Sequence, residues 1–366
     1  MNRCNLCFSK SGIILTLNFE SQLQCAKTTI NSKKTLRSSA TLPLNKILIK
    51  LLQLTATLSL LGLVMYQAGL FSVDGQQAFL ALIRQASLPL LVLSVLVGIA
   101  VNMVSAFKWY VITQSQGITA GYWRIFAYYV VGQFYNMFLP TSVGGDVVRS
   151  YELGKFSGRQ ADSLASVFVE RYTGVVVLLV CAGLAVLAQL SRFYVDFVIV
   201  SLILFTLALL LLGWLVFDPR LYKWVENKLA NKSLLLKSLF QKVDKLFLAV
   251  GAYRSQPRVL ILALLNSVLF YFIAVVNVYV TAQVFSSDVV FWHMLLAAPI
   301  IMLIMNLPIS FGNIGLMEFA YTNVFMLMGY SAELGLSVAL LMRLKSFVDG
   351  ALGGVLHPLF VTQKHE

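Results

Sequence analysis

The sequence predicts an all-α, polytopic integral membrane protein of about six full spans plus two oppositely oriented re-entrant helix pairs. Three observations predict it: apolar runs of span length, the placement of the basic residues, and two matched interruptions, "LPTSVGGD" (Leu139–Asp146) and "LPISFGNIG" (Leu307–Gly315). Of 366 residues, 59% are hydrophobic and 12% charged, whereas a soluble domain carries about 25% charged residues. The apolar runs reach about 20 residues, the length a helix needs to cross a bilayer. A membrane β-barrel would instead alternate in segments of about 10 residues.

Residues 1–45 are polar, rich in Ser, Thr, Asn and Lys, and read as a disordered cytoplasmic tail. The membrane domain occupies 46–358, and 359–366 form a short second tail. Spans are expected at 47–71 and at 88–107, the latter ending at Lys108, with a short connector between them. The helix 123–140 is stopped by Pro140 and, after the break, followed by the charged, amphipathic 147–162. Further spans follow at 163–190 and 193–217. Residues 218–258 form a basic amphipathic segment, holding nine basic residues against Asp218, Glu226 and Asp244. After it come a span at 259–285, an apolar run from Val289 to Pro308, and a last span at 334–356.

The net charge of +13 lies outside the apolar runs. In a membrane protein that pattern sets topology, and it favours anionic lipid headgroups over nucleic acid. The tail and the 218–258 segment carry most of the Lys/Arg excess, so both belong on the cytoplasmic side. Four full spans between them keep that parity only if 123–156 enters and returns on the cytoplasmic face. The same count makes 289–330 start and finish outside, and returns the C-terminus to the cytoplasm.

The two interruptions share Leu-Pro-x-Ser-x-Gly, and each has an Asn just upstream. Facing each other from opposite sides, they form the pattern of an inverted repeat. Irregular backbone at membrane depth is tolerated where protein or water satisfies it. Free amides and half-helix termini there suit an anion such as phosphate. Around the first interruption the candidate residues are Ser142, Gly144, Gly145, Asp146 and Arg149; around the second, Ser310, Gly312, Asn313 and Glu318. Glu170 and Arg171 lie about two turns into an apolar run, and Arg343, Lys345 and Asp349 lie in the body of the last span. Lys345 and Asp349 share a helix face and can pair, while Arg343 points about 160° away from Lys345. An ionisable residue at the centre of a span costs about 2.5–3.5 kcal/mol on insertion scales, so such residues are paired or functional.

Catalytic and metal chemistry find no foothold. Cys4 and Cys7 have C-x-x-C spacing without a second pair, His293, His357 and His365 are scattered, and no P-loop or dinucleotide fingerprint occurs. No cofactor is expected.

The runs "PTSVGGDVVR" (Pro140–Arg149), "ERYTG" (Glu170–Gly174), "LPISFGNIGLMEFA" (307–320) and "ALLMRLKSFVDGALGG" (339–354), in that order, resemble the flippase-like membrane domain of lysylphosphatidylglycerol synthases, the multiple peptide resistance factor family. The resemblance covers about 45–358. The chain departs from it where G-x-G-x-R-E is expected: Asn313 replaces a glycine, and Met317 takes the place of the basic residue before Glu318. The resemblance implies a free-standing form without the synthase domain, not an enzyme, that moves an anionic, aminoacylated or polyprenyl-type phospholipid between leaflets of the cell membrane. It also implies a homodimer as one assembly. Two other functions stay open: a scaffold for a lipid-modifying or envelope-building enzyme, and a membrane-embedded transferase with Asp146 or Glu170 as base. The latter would need a donor-binding motif, and none is evident.

Overall fold

A computed structural model describes residues 44–138, 144–188, 246, 248–307 and 310–360, and every regular element among them is helical. The span expected at 193–217, most of the basic segment, and most of both tails lie outside the described residues. Two compact units divide the chain at Leu52/Gln53, and the larger, Gln53–Glu366, holds the helices that build the site.

Helix α1 (Leu44–Gln67) stops earlier than the expected 71 because Gly69 turns the chain at φ +62°. The connector is not irregular: it folds into α2 (Val73–Arg84), capped by Ser72, whose Oγ accepts from the Gly75 N–H at 3.1 Å. Helix α3 (Leu88–Ser115) runs past its expected end and is closed by Gly117 at φ +73°. Lys108 therefore lies inside this helix and is buried, where the sequence placed it at the boundary.

The remaining elements are α4 (Tyr122–Phe138), α5 (Gly144–Ser157), α6 (Gln160–Ala188), α7 (Pro257–Gln283), α8 (Phe291–Met305), α9 (Leu316–Leu327) and α10 (Ala332–Phe360). Short 3-10 turns at Ala252–Ser255 and Phe311–Asn313 precede α7 and α9. Three of these helices, α3, α6 and α7, are long and apolar enough to cross a membrane among the described residues. The protein is a helical membrane protein.

Two packing relations position everything else. Helices α3 and α7 lie antiparallel along their whole length. The Ser87 N–H donates to the Val284 carbonyl at one end, Lys108 reaches Ser267, and Gln256 Nε2 reaches the Ser115 carbonyl at the other end. Each of the two is followed by a helical hairpin. In the first, α5 folds back on α4: Asn136 meets Gly145, Tyr129 meets Arg149, and Arg124 lies over Phe156. In the second, α9 folds back on α8, with Asn313 at Met305 near the tip and His293 at Tyr330 near the mouth. Because α3 and α7 are antiparallel, the two hairpin mouths lie at opposite ends of that pair.

The hairpins exchange partners. Helix α4 packs on α10 of the other half, and α8 packs on α6. Gly350, Gly353 and Gly354 let α10 approach α4; a Cβ on Gly353 would meet the Val130 carbonyl, and one on Gly354 would lie 2.9 Å from the Phe134 ring. The first hairpin closes equally tightly, since a Cβ on Gly132 would lie 2.9 Å from the Gly145 carbonyl oxygen. The largest apolar core joins α7, α8, α9 and α10 through Val278, Met294, Ile301, Tyr321, Phe325 and Val338.

Candidate functional site

The charged residues gather in three places, each fixed by the hairpins and the long helices that frame them. At the start of α5, Asp146 occupies the first turn, where a carboxylate complements the free N–H groups and the helix dipole. Asn136, one of the two asparagines upstream of the breaks, accepts from the Gly145 N–H at 2.7 Å and ties the two hairpin arms. Arg171 from α6 grips Asp146 with both ends of its fork, Nε to Oδ2 at 2.7 Å and Nη2 to Oδ1 at 2.8 Å.

Arg149, one turn along α5, is 1% exposed. Its Nε donates to Asp146 Oδ1 at 3.0 Å and its Nη2 to Glu170 Oε2 at 2.5 Å. The guanidinium sits between the rings of Trp109 and Tyr129, 4.6 and 4.9 Å from their centroids. Its Nη1 has no hydrogen-bond partner among the described residues. Glu170 and Arg171, neighbours in sequence, thus serve different partners. Lys108 completes this group, donating to the Glu170 backbone carbonyl at 3.0 Å and to Ser267 Oγ at 3.1 Å.

At the second hairpin, Gly312 and Asn313 take φ of +56° and +58°, and Gly315 takes +80°. These left-handed residues turn the chain into α9. Asn is the side chain that tolerates this region best after Gly, so Asn313 can stand where the family resemblance leads one to expect glycine. Asn313 Nδ2 also ties the Met305 carbonyl, at 3.0 Å. Glu318, 2% exposed, accepts from the Gly315 N–H at 2.8 Å. Arg343 of α10 holds both Glu318 oxygens and donates to the Asn313 carbonyl at 2.9 Å. Met317, in the position expected to be basic, is buried in the large core. Ser310 is buried and its hydroxyl has no partner among the described residues.

Lys345 and Asp349 share a face of α10 but find other partners than each other. Lys345 Nζ donates to Asn277 Oδ1 at 2.8 Å and Thr281 Oγ1 at 2.7 Å, both on α7. Asp349 Oδ2 accepts from Asn102 Nδ2 at 2.9 Å, and Asn102 in turn accepts from Gln133 on α4 at 2.7 Å. Ser142 lies outside the described residues. Sequence reasoning missed Lys108, Asn102 and Asn277. Lys108 carried a usable signal, because the apolar residues continue beyond it from Trp109 to Ile112.

The two hairpins repeat one device: an acid at the start of the second arm, clamped by an arginine 25 residues further on, Asp146–Arg171 and Glu318–Arg343. The same device recurs in the two halves of one fold, each half made of a long helix, a hairpin and a second long helix. A family model, the lysylphosphatidylglycerol synthase TM region, matches residues 51–353. The chain belongs to that family. No curated protein and no solved structure matches it. The lysylphosphatidylglycerol synthase TM region encloses both hairpins, both acid–arginine clamps and the α3–α7 pair, so the whole charged site lies within a membrane domain associated with lipid function.

Proposed function

We propose that this protein is a lipid translocator that moves a phosphate-bearing lipid between the leaflets of the cell membrane, with both termini cytoplasmic and no synthase activity of its own. The observation that carries this reading is the pair of acid–arginine clamps, one at the start of the returning arm in each of two hairpins whose mouths lie at opposite ends of the antiparallel α3–α7 pair. Helices α4 and α8, of 17 and 15 residues, are about 25 Å and 22 Å long at 1.5 Å per residue. Both fall short of a hydrocarbon core of about 30 Å. Gln133 of α4 also pairs with Asn102 near the middle of α3. Both observations fit re-entrant hairpins whose tips stop short of the opposite face. Such tips from two sides give a headgroup a polar route, while the acyl chains remain in lipid.

Reconstitution into vesicles with a fluorescent phosphatidylglycerol analogue tests this. The protein is expected to accelerate leaflet exchange over empty vesicles, and Asp146→Asn is expected to slow it by about tenfold or more, since a charge-assisted bidentate contact is lost. Exchange no faster than in empty vesicles would remove the translocator reading. Undiminished exchange by Asp146→Asn would remove Asp146 from the path.

A further inference from the structure

The two clamps are alike in geometry and unlike in charge. At the second hairpin, Glu318 and Arg343 cancel, and the arginine is engaged by both Glu318 oxygens and the Asn313 carbonyl. The Lys345–Asp349 group on the same helix also sums to zero. At the first hairpin, Lys108, Arg149 and Arg171 stand against Asp146 and Glu170, joined by the hydrogen bonds that Arg149 and Arg171 give to the two carboxylates and Lys108 gives to the Glu170 carbonyl. Among the described residues, three positive charges against two negative leave one in excess, with four of the five residues buried.

Hydrogen bonding shows the same surplus. An ammonium has three N–H bonds and a guanidinium five. Among the described residues Lys108 uses two of its three, on the Glu170 carbonyl and Ser267. Arg149 leaves Nη1 unused. Arg171 is half open, its side chain 50% exposed, while its Asp146 partner is 10% exposed. A buried excess charge with spare donors is costly in a membrane protein unless something supplies the missing anion.

We propose that the first-hairpin cluster is a binding site for a single phosphate oxyanion, entered past Arg171, and that Lys108 determines its specificity by supplying the uncompensated charge; the second clamp binds no substrate and acts as a structural latch. This rests on the translocator reading for the identity of the lipid, but the site itself stands on charge and unmet donors. The occupant carries one net negative charge on a phosphate, as a phosphodiester lipid headgroup or the monoanion of free phosphate does. A zwitterionic headgroup brings its own cation into a site that already has one too many.

The test is equilibrium binding to the full chain in uncharged detergent, with three probes: dioctanoyl-phosphatidylglycerol, dioctanoyl-phosphatidylethanolamine and inorganic phosphate. The wild-type protein is expected to prefer the phosphatidylglycerol over the phosphatidylethanolamine by about tenfold or more. Lys108→Met should abolish that preference, Lys108→Arg should keep it, and Glu170→Gln, which removes one negative charge while keeping a similar shape, should strengthen it. A wild-type protein with no charge preference would overturn the proposal, as would unchanged preference in both Lys108→Met and Glu170→Gln. Folding of each variant is checked by thermal melting, and the Glu170→Gln and wild-type results decide the matter if Lys108→Met is unstable. Strong competition by inorganic phosphate assigns the site to the free ion; weak competition assigns it to the lipid. Preference without leaflet exchange would uphold the anion site and remove the translocator.

Discussion

Arg343 shows how much one side chain can hold. It spans from α10 to the tip of the second hairpin, satisfying both oxygens of a buried carboxylate and a turn carbonyl. Removing one member of a buried ion pair costs about 3–5 kcal/mol, because the other is left charged and unpaired. Arg343→Ala is therefore expected to lower the thermal midpoint sharply, while the double variant Glu318→Gln/Arg343→Gln regains most of the loss; equal destabilisation by single and double variants would contradict the pairing. The charged residues were legible as a set: Asp146, Glu170, Arg171, Glu318, Arg343 and Lys345 stand out because ionisable groups are rare in apolar runs. Their partners were not legible. Glu170 and Arg171 look like a local pair, yet at 100° per residue their side chains diverge to Arg149 and Asp146. Lys345 and Asp349 could have paired, yet the close approach of α7 and α3 supplies Asn277 and Asn102 instead.

Helices in this chain are defined by where they stop. Proline and glycine marked both hairpin tips in the sequence, and Gly69 and Gly117 set ends that hydrophobicity alone misplaced. The connector helix α2 escaped notice because its signal is a Ser72 cap rather than an apolar run. At the second tip the demand is backbone geometry. Asn313→Gly is expected to leave stability within about 1 kcal/mol, and Asn313→Val, a β-branched residue at φ +58°, to cost about 1–3 kcal/mol. Comparable melting curves for the two would show that the left-handed turn is not required. At the first tip the demand is space: Gly145→Val drives a side chain into the Gly132 carbonyl and Asn136, and should separate α5 from α4. Gly121→Ala, with open space around its position, serves as the tolerated control.

The whole molecule pairs two halves head to tail, and each hairpin packs on the long helix of the other half. That exchange explains why the sequence could announce two matched breaks without revealing how they meet. The match lies in local turn chemistry, whereas the α4–α10 and α8–α6 contacts join residues far apart in the chain. It also means that a helix packed on one hairpin frames the other, α10 touching α4 and α9, and α6 touching α8 and α5. The opposed mouths of the two hairpins are the feature on which the proposed lipid passage depends, and vectorial labelling reads them directly. Gly121→Cys lies at the mouth of the first hairpin and Ser287→Cys at the mouth of the second; both sites are exposed. Each would be made in a chain whose native Cys4, Cys7, Cys25 and Cys181 are replaced by Ser. In intact cells a membrane-impermeant maleimide should label the Ser287→Cys protein alone, and the Gly121→Cys protein only after the membrane is opened. Labelling of both from the same side would contradict the opposed hairpins and the transfer path built on them.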